Sequence, residues 1–122
     1  MSPEVDIKPI GTVRKVSGGK SIIYLSEDLL DGLNSLRPGG FVDVLYWMHE
    51  LSGRHRQVLQ VHPQGNRNKP RQGVFSLRSP MRPNPIGVSR VEVVAIEGVR
   101  VTVKGLDAKE GSPVLDIKAA SR

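Results

Sequence analysis

Hydrophobic positions along the chain come in short runs separated by turn residues, and only one run has helical spacing. Ile7 to Val16 reads as a first strand, with Ile10, Val13 and Val16 apolar and Gly11 marking a bulge or a close backbone approach. Ser17-Gly18-Gly19-Lys20 is a turn. It lacks the spacing of a phosphate-binding loop and leads into no helix, so no nucleotide site is read there. Ser21 to Leu25 is a short, β-branched strand. Ser26 is suited to cap a helix, with Glu27 and Asp28 at its positive end and Leu29, Leu30, Leu33 and Leu36 at helical spacing. Pro38-Gly39-Gly40 stops that helix. Phe41 to Met48 is the most hydrophobic strand and is expected to be buried and central; it runs into the polar pair His49-Glu50. Gln57 to His62 alternates weakly, and Pro63 to Gln72 is a polar loop.

The stretch from Gly73 to Ser89 opens as a short apolar strand over Val74-Phe75-Ser76-Leu77. Pro80, Pro83 and Pro85 then each fix their own φ and remove a donor. They also push Ser79, Arg82 and Asn84 out of the helical region. The expectation is a rigid, extended loop carrying Arg78, Arg82 and Asn84, and such loops often hold binding groups. Val88 to Ile96 is the next strand. Val99, Val101 and Val103 alternate with Arg100, Thr102 and Lys104, which gives one buried and one wet face. Glu97-Gly98 joins these two strands as a tight hairpin. Leu106 to Pro113 is a second polar loop, and Val114 to Lys118 is a last strand. Short strands, frequent turns and one helix imply an all-β sandwich or small barrel, in a single domain over residues 1–122.

Composition narrows the chemistry. The chain of 122 residues is 38% hydrophobic and has no cysteine, which excludes disulfides and thiolate metal sites. Met1 to Asp6 is polar and acidic, unlike a signal peptide, and no apolar run approaches a membrane span. A soluble, cytoplasmic protein without a membrane partner is expected. Net charge is +6, and it is unevenly spread. No Asp or Glu falls between Leu51 and Val91, while Arg54, Arg56, Arg67, Lys69, Arg71, Arg78, Arg82 and Arg90 do. Such a window, gathered on one face, attracts a polyanion such as RNA. The RNA-binding candidates are Arg54, Arg56, Arg67, Lys69, Arg71 and Arg78. His49, His55 and His62 match no metal spacing, so no metal is expected. There is neither a nucleophile elbow nor a dinucleotide-binding glycine pattern.

The two polar loops carry a resemblance. Leu77-Arg78-Ser79-Pro80-Met81-Arg82-Pro83-Asn84-Pro85-Ile86-Gly87, together with Leu106 to Lys118, resembles the TsaA-like (TrmO) family. Pro9-Ile10-Gly11-Thr12-Val13 and Leu45-Tyr46-Trp47-Met48-His49 are similar to it as well, so the likeness covers nearly the whole chain. It implies a mainly β fold, a small antiparallel β-barrel with one short helix. It also implies a homodimer that binds S-adenosyl-L-methionine near the subunit interface. The implied activity is methyl transfer to N6 of threonylcarbamoyl-adenosine next to the tRNA anticodon. The alternative is a cofactor- or RNA-binding barrel without methyltransferase activity.

Carried over by position, the cofactor-binding candidates are His49, Glu50, Arg82, Glu110, Gly111, Ser112 and Pro113. Glu110 stands where the family usually has Asp. A Pro-Arg-Gln stretch that usually follows the opening strand has no counterpart here, and neither does the C-terminal extension of larger bacterial members. Arg82→Ala is expected to weaken cofactor binding and leave the fold intact. Methyl transfer from a sulfonium is an in-line displacement in which positioning does much of the work. It needs no protein nucleophile. Glu50, Asp107 and Glu110 are open candidates to accept the proton lost by the adenine nitrogen.

Overall fold

The computed structural model describes residues 3–121. Met1, Ser2 and Arg122, the ends of the single-domain expectation, lie outside them. Eight strands follow in chain order: β1 (Gly11–Lys15), β2 (Lys20–Leu25), β3 (Phe41–Trp47), β4 (Gln60–Val61), β5 (Gln72–Gly73), β6 (Ile86–Glu97), β7 (Arg100–Lys104) and β8 (Pro113–Ala120). Six of them form one antiparallel sheet in the order β1-β2-β7-β6-β3-β8. β1 pairs back onto β8 through Gly11↔Val114 and Thr12↔Pro113, so the sheet closes on itself. β4 and β5 make a separate two-stranded ribbon.

The period-two alternation explains which residues meet inside. On β3, Val42, Val44 and Tyr46 are buried, and Phe41, Asp43, Leu45 and Trp47 between them are half-buried. Ile23, Val93 and Val103 complete the centre of the core with no exposed surface. Each fully buried side chain of this size contributes about 1.5–3 kcal/mol by leaving water. Gly11 makes the close backbone approach: a Cβ there would collide with the Tyr24 carbonyl of the paired strand. β3 pairs with both β6 and β8, but every strand of the closed sheet has two partners, so β3 is not the central strand expected; one face is buried and the other half-buried.

Several elements differ from the sequence expectation. The leucine segment is a 3₁₀ helix, Glu27–Leu33, and Ser26 makes no side-chain capping bond. Its ends close through i→i−3 bonds, the Leu29 amide donating to Ser26 O (3.0 Å) and the Asn34 amide to Asp31 O (3.2 Å), the 3₁₀ pattern. Leu33 is buried, whereas Leu30 is 48% exposed. The strand expected over Val74 to Leu77 does not form there. β5 ends at Gly73, and Val74–Ser76 is a single 3₁₀ turn. The cause is competition for carbonyls: Ser76 Oγ donates to Gly73 O (2.7 Å), while Arg82 Nη2 and the Leu77 amide both donate to Val74 O. Of the weak strand over Gln57 to His62 only β4 remains, preceded by a 3₁₀ turn at His55–Gln57. The β6–β7 hairpin turns at Gly98-Val99, one residue later than expected, with Gly98 at φ 59°. The opening strand is shorter than Ile7 to Val16, and β8 runs on to Ala120.

Candidate functional site

At the end of β3 the chain leaves the sheet as Met48-His49-Glu50, where the two polar loops converge. The Met48 amide donates to Pro85 O (2.8 Å), which ties the strand end to the proline loop. Arg56 braces the same loop from outside: Nε donates to Pro83 O (2.7 Å) and Nη2 to Asn84 Oδ1 (3.3 Å). Its guanidinium lies 5.4 Å from the centre of the Trp47 ring, a cation–π contact. Arg82 holds the loop from within, donating to the carbonyls of Ser79 (3.2 Å), Val74 (3.0 Å) and Leu77 (3.5 Å). The extended proline loop is thus present as expected, with two of its neighbourhood arginines serving as internal braces.

The second loop is fixed by β1. The Gly111 amide donates to Val13 O (2.8 Å), and Ser112, buried, donates its hydroxyl to Lys109 O (2.7 Å). Lys15 contributes twice, its amide donating to Glu110 Oε1 (2.7 Å) and its Nζ to Leu106 O (2.7 Å). Leu106 and Ala108 anchor the loop in the core.

Between the loops opens a cavity of about 560 Å³, a size that suits a small-molecule site. His49, Glu50, Arg82 and Ser112 line it, as does Asp107. Gly111 lies at its edge, where a Cβ would sit 3.9 Å from His49 Nε2. Glu110 and Pro113 are not in the wall: Glu110 receives the Lys15 amide and Pro113 pairs with Thr12 in closing the sheet. Sequence reasoning missed Lys15, Lys109 and Ser89, which also line the cavity. Tyr46, in the Leu45–His49 stretch, lies over Gly87, where an added Cβ would fall 2.5 Å from the ring. Its hydroxyl lies 3.5 Å from Ser89 Oγ, which accepts the Asp107 amide (3.3 Å). Lys15, the last residue of β1, is part of the cavity wall.

Across the mouth, Lys109 Nζ and Glu50 Oε1 lie 3.0 Å apart. The hydrogen bond from Lys109, with its charge, holds the Glu50 carboxyl below the usual carboxylate range. A lowered pKa makes Glu50 a poorer proton acceptor. Asp107 makes no ion pair among the described residues. Apolar Met48, Pro80, Ile86 and Val88 share this wall with charged groups of both signs. The donor set therefore fits a zwitterion that carries an apolar ring: cations for a carboxylate, carboxylates for an ammonium or sulfonium, and apolar side chains for the ring.

A second cavity of about 1060 Å³ lies beside the first, and Arg78 and Pro80 line both. Its wall holds Arg67, Lys69, Arg71 and Arg78, four of the six RNA-binding candidates. Arg54 lines neither cavity, and Arg56 is engaged by the proline loop. His62 also lines the basic cavity, its Nδ1 donating to Lys69 O (2.9 Å). No group of three metal-ligating side chains converges among the described residues. No helix among them is long and apolar enough to cross a membrane.

The family model described as the tRNA-methyltransferase O N-terminal domain matches residues 9–121. A probable S-adenosyl-L-methionine-binding protein of Methanocaldococcus jannaschii is 37% identical over 116 residues, spanning 94% of this chain and 91% of that protein. A tRNA (adenine(37)-N6)-methyltransferase of Eikenella corrodens is 42% identical over 78 residues, 62% of this chain and 44% of that one. The crystal structure of TrmO from Pseudomonas aeruginosa superposes with a TM-score of 0.72 at 25% identity. That match covers 98% of this chain and 57% of the solved one, so this chain spans little more than half the solved protein's length.

Proposed function

This chain belongs to the tRNA-methyltransferase O N-terminal domain family, and from that premise we propose that it is an S-adenosyl-L-methionine-dependent tRNA methyltransferase. The acceptor in this reading is N6 of the threonylcarbamoyl-adenosine next to the anticodon. We read the closed sheet as the antiparallel β-barrel of that family, forming a single cytoplasmic domain that works as a homodimer. The observation that carries the reading is the adjacency of the two cavities, one amphipathic and cofactor-sized, the other basic, with Arg78 in the wall of both.

His49, Glu50, Arg82 and Ser112 would hold the cofactor. When bound, it supplies an electrophilic methyl group on a sulfonium. The protein's part is to orient the groups, exclude water and receive a proton. Asp107 is our candidate acceptor for the proton lost by the target nitrogen: it lines the cavity, Glu50 is tied to Lys109, and Glu110 is turned to the Lys15 amide. Arg67, Lys69 and Arg71 would take tRNA phosphates, a contribution that weakens with salt.

A second reading, binding without turnover, is favoured by the Glu50–Lys109 pair, which occupies a carboxylate at the cavity mouth. One experiment separates the two. Purified protein is incubated with methyl-labelled S-adenosylmethionine and tRNA from cells lacking this modification. Label on N6 of the threonylcarbamoyl-adenosine supports the enzyme. Calorimetric cofactor binding with no labelled nucleoside supports the binding protein.

A further inference from the structure

Phe75 is the single exposed aromatic among the described residues: 76% of its surface faces solvent, while Tyr46 is buried and Tyr24, Phe41 and Trp47 are half-buried. Leaving such a ring in water forfeits stability that burial would give. The turn that presents it is nonetheless tightly built. Val74 on one side is buried to 1% and anchors the turn in the interior. Ser76 on the other side donates its hydroxyl to Gly73 O (2.7 Å). Arg82 and the Leu77 amide both hold Val74 O, and the Val74 amide donates to Leu59 O (2.9 Å). Phe75 is therefore displayed from a braced turn rather than left on a loose tip.

Its electrostatic setting is one-sided. Phe75 lies inside the stretch from Leu51 to Val91 that holds no carboxylate. In sequence it stands between Arg71 and Arg78, both of which line the basic cavity. Arg82, part of the smaller cavity's wall, holds the carbonyl of the residue before it. Phe75 itself lines neither cavity, but Leu77 and Arg78, two and three places after it, line the basic one. A flat apolar ring presented next to such a wall suits unpaired nucleotides: the cations take the phosphates and the ring takes a base.

From this we infer that Phe75 is a stacking platform for an unpaired base of the RNA loop whose phosphates the basic cavity receives. The inference rests on the tRNA reading above and adds the residue that grips the loop through a base. A protein partner fits less well. The exposed apolar surface here is Phe75 with Leu59, itself 57% exposed. Two side chains fall far short of the surface a stable protein interface buries, whereas one ring matches one base.

The test is binding of a fluorescently labelled tRNA anticodon stem-loop over a series of salt concentrations. Phe75→Ala is expected to weaken binding about 5- to 100-fold with the salt slope unchanged. Phe75→Leu, apolar but without a π face, should not restore it, and Phe75→Trp should. Arg71→Ala is expected to behave differently, lowering the salt slope by about 1. Because Phe75 is exposed, thermal melts of its variants should match the parent. Stem-loop binding by the parent with Phe75→Ala equally tight would overturn the stacking role alone. So would full rescue by Phe75→Leu, or a Phe75→Ala variant that sediments as a smaller species. A parent protein that bound no stem-loop at any salt would sink the tRNA reading and the platform together.

Discussion

Lys109 Nζ lies 3.0 Å from Glu50 Oε1, so the second polar loop is clamped to the end of β3 across the mouth of the smaller cavity. Glu50 is held below its ordinary carboxylate value, first by the hydrogen bond from Lys109 and then by its charge. A carboxyl whose folded pKa is depressed adds stability above its unfolded pKa. It loses that contribution as pH falls through the folded value. Glu50 is therefore ionised and paired with Lys109 at neutral pH, and the pair is lost as pH falls through the lowered pKa; its contribution is small because both side chains are exposed. Carbon-detected NMR titration should give Glu50 a midpoint below that of an exposed glutamate. Lys109→Met should raise it, and added salt should shrink the difference, because both side chains are exposed. An unchanged midpoint in Lys109→Met would refute the clamp.

Arg82 is expected to act on the loop before it acts on any ligand. Its guanidinium serves three carbonyls, so Arg82→Ala, expected from the sequence to leave the fold intact, removes a donor that braces the loop. The loss should cost about 1–3 kcal/mol in chemical denaturation, with faster hydrogen exchange of the Leu77 amide. Cofactor affinity should fall with it. Arg82→Lys should not restore either property, since an ammonium lacks the planar fork. Unaltered stability in Arg82→Ala would return the residue to a purely ligand-facing role.

Tyr46 and Gly87 are directly paired across β3 and β6, and the ring lies where a Gly87 side chain would be. Gly87→Ala should therefore destabilise by about 1–3 kcal/mol through overpacking. In a Tyr46→Ala background the same substitution should cost close to nothing, giving a coupling of about 1 kcal/mol or more. Additive effects would show that the ring and the glycine are independent.

Much of this architecture could be read from residues alone. The alternation in Phe41 to Trp47 and in Arg100 to Lys104 marks strands because burial follows the pleat. Pro80, Pro83 and Pro85 mark a loop because none of them supports a ladder. His49, Glu50, Arg82 and Ser112 were candidates only through the family resemblance, and all four line the cavity between the loops. Lys15 was not, because it reaches the wall by bonds to Leu106 and Glu110, more than 90 positions away. The turn at Val74–Ser76 was misread as strand for a similar reason: Arg82 and Ser76 claim the carbonyls a strand would share, and apolar content cannot reveal that competition. Arg56 looked like an RNA contact in a basic window; only the fold shows its donors turned to Pro83 and Asn84.

We place the cofactor in the cavity between the two loops. The most direct measurement is a crystal structure of the protein grown with saturating S-adenosylhomocysteine. Ligand density is expected against His49, Arg82 and Ser112, with Asp107 in the same wall. Density in the basic cavity beside Arg67 and Arg71 instead, or none between the loops, would contradict it.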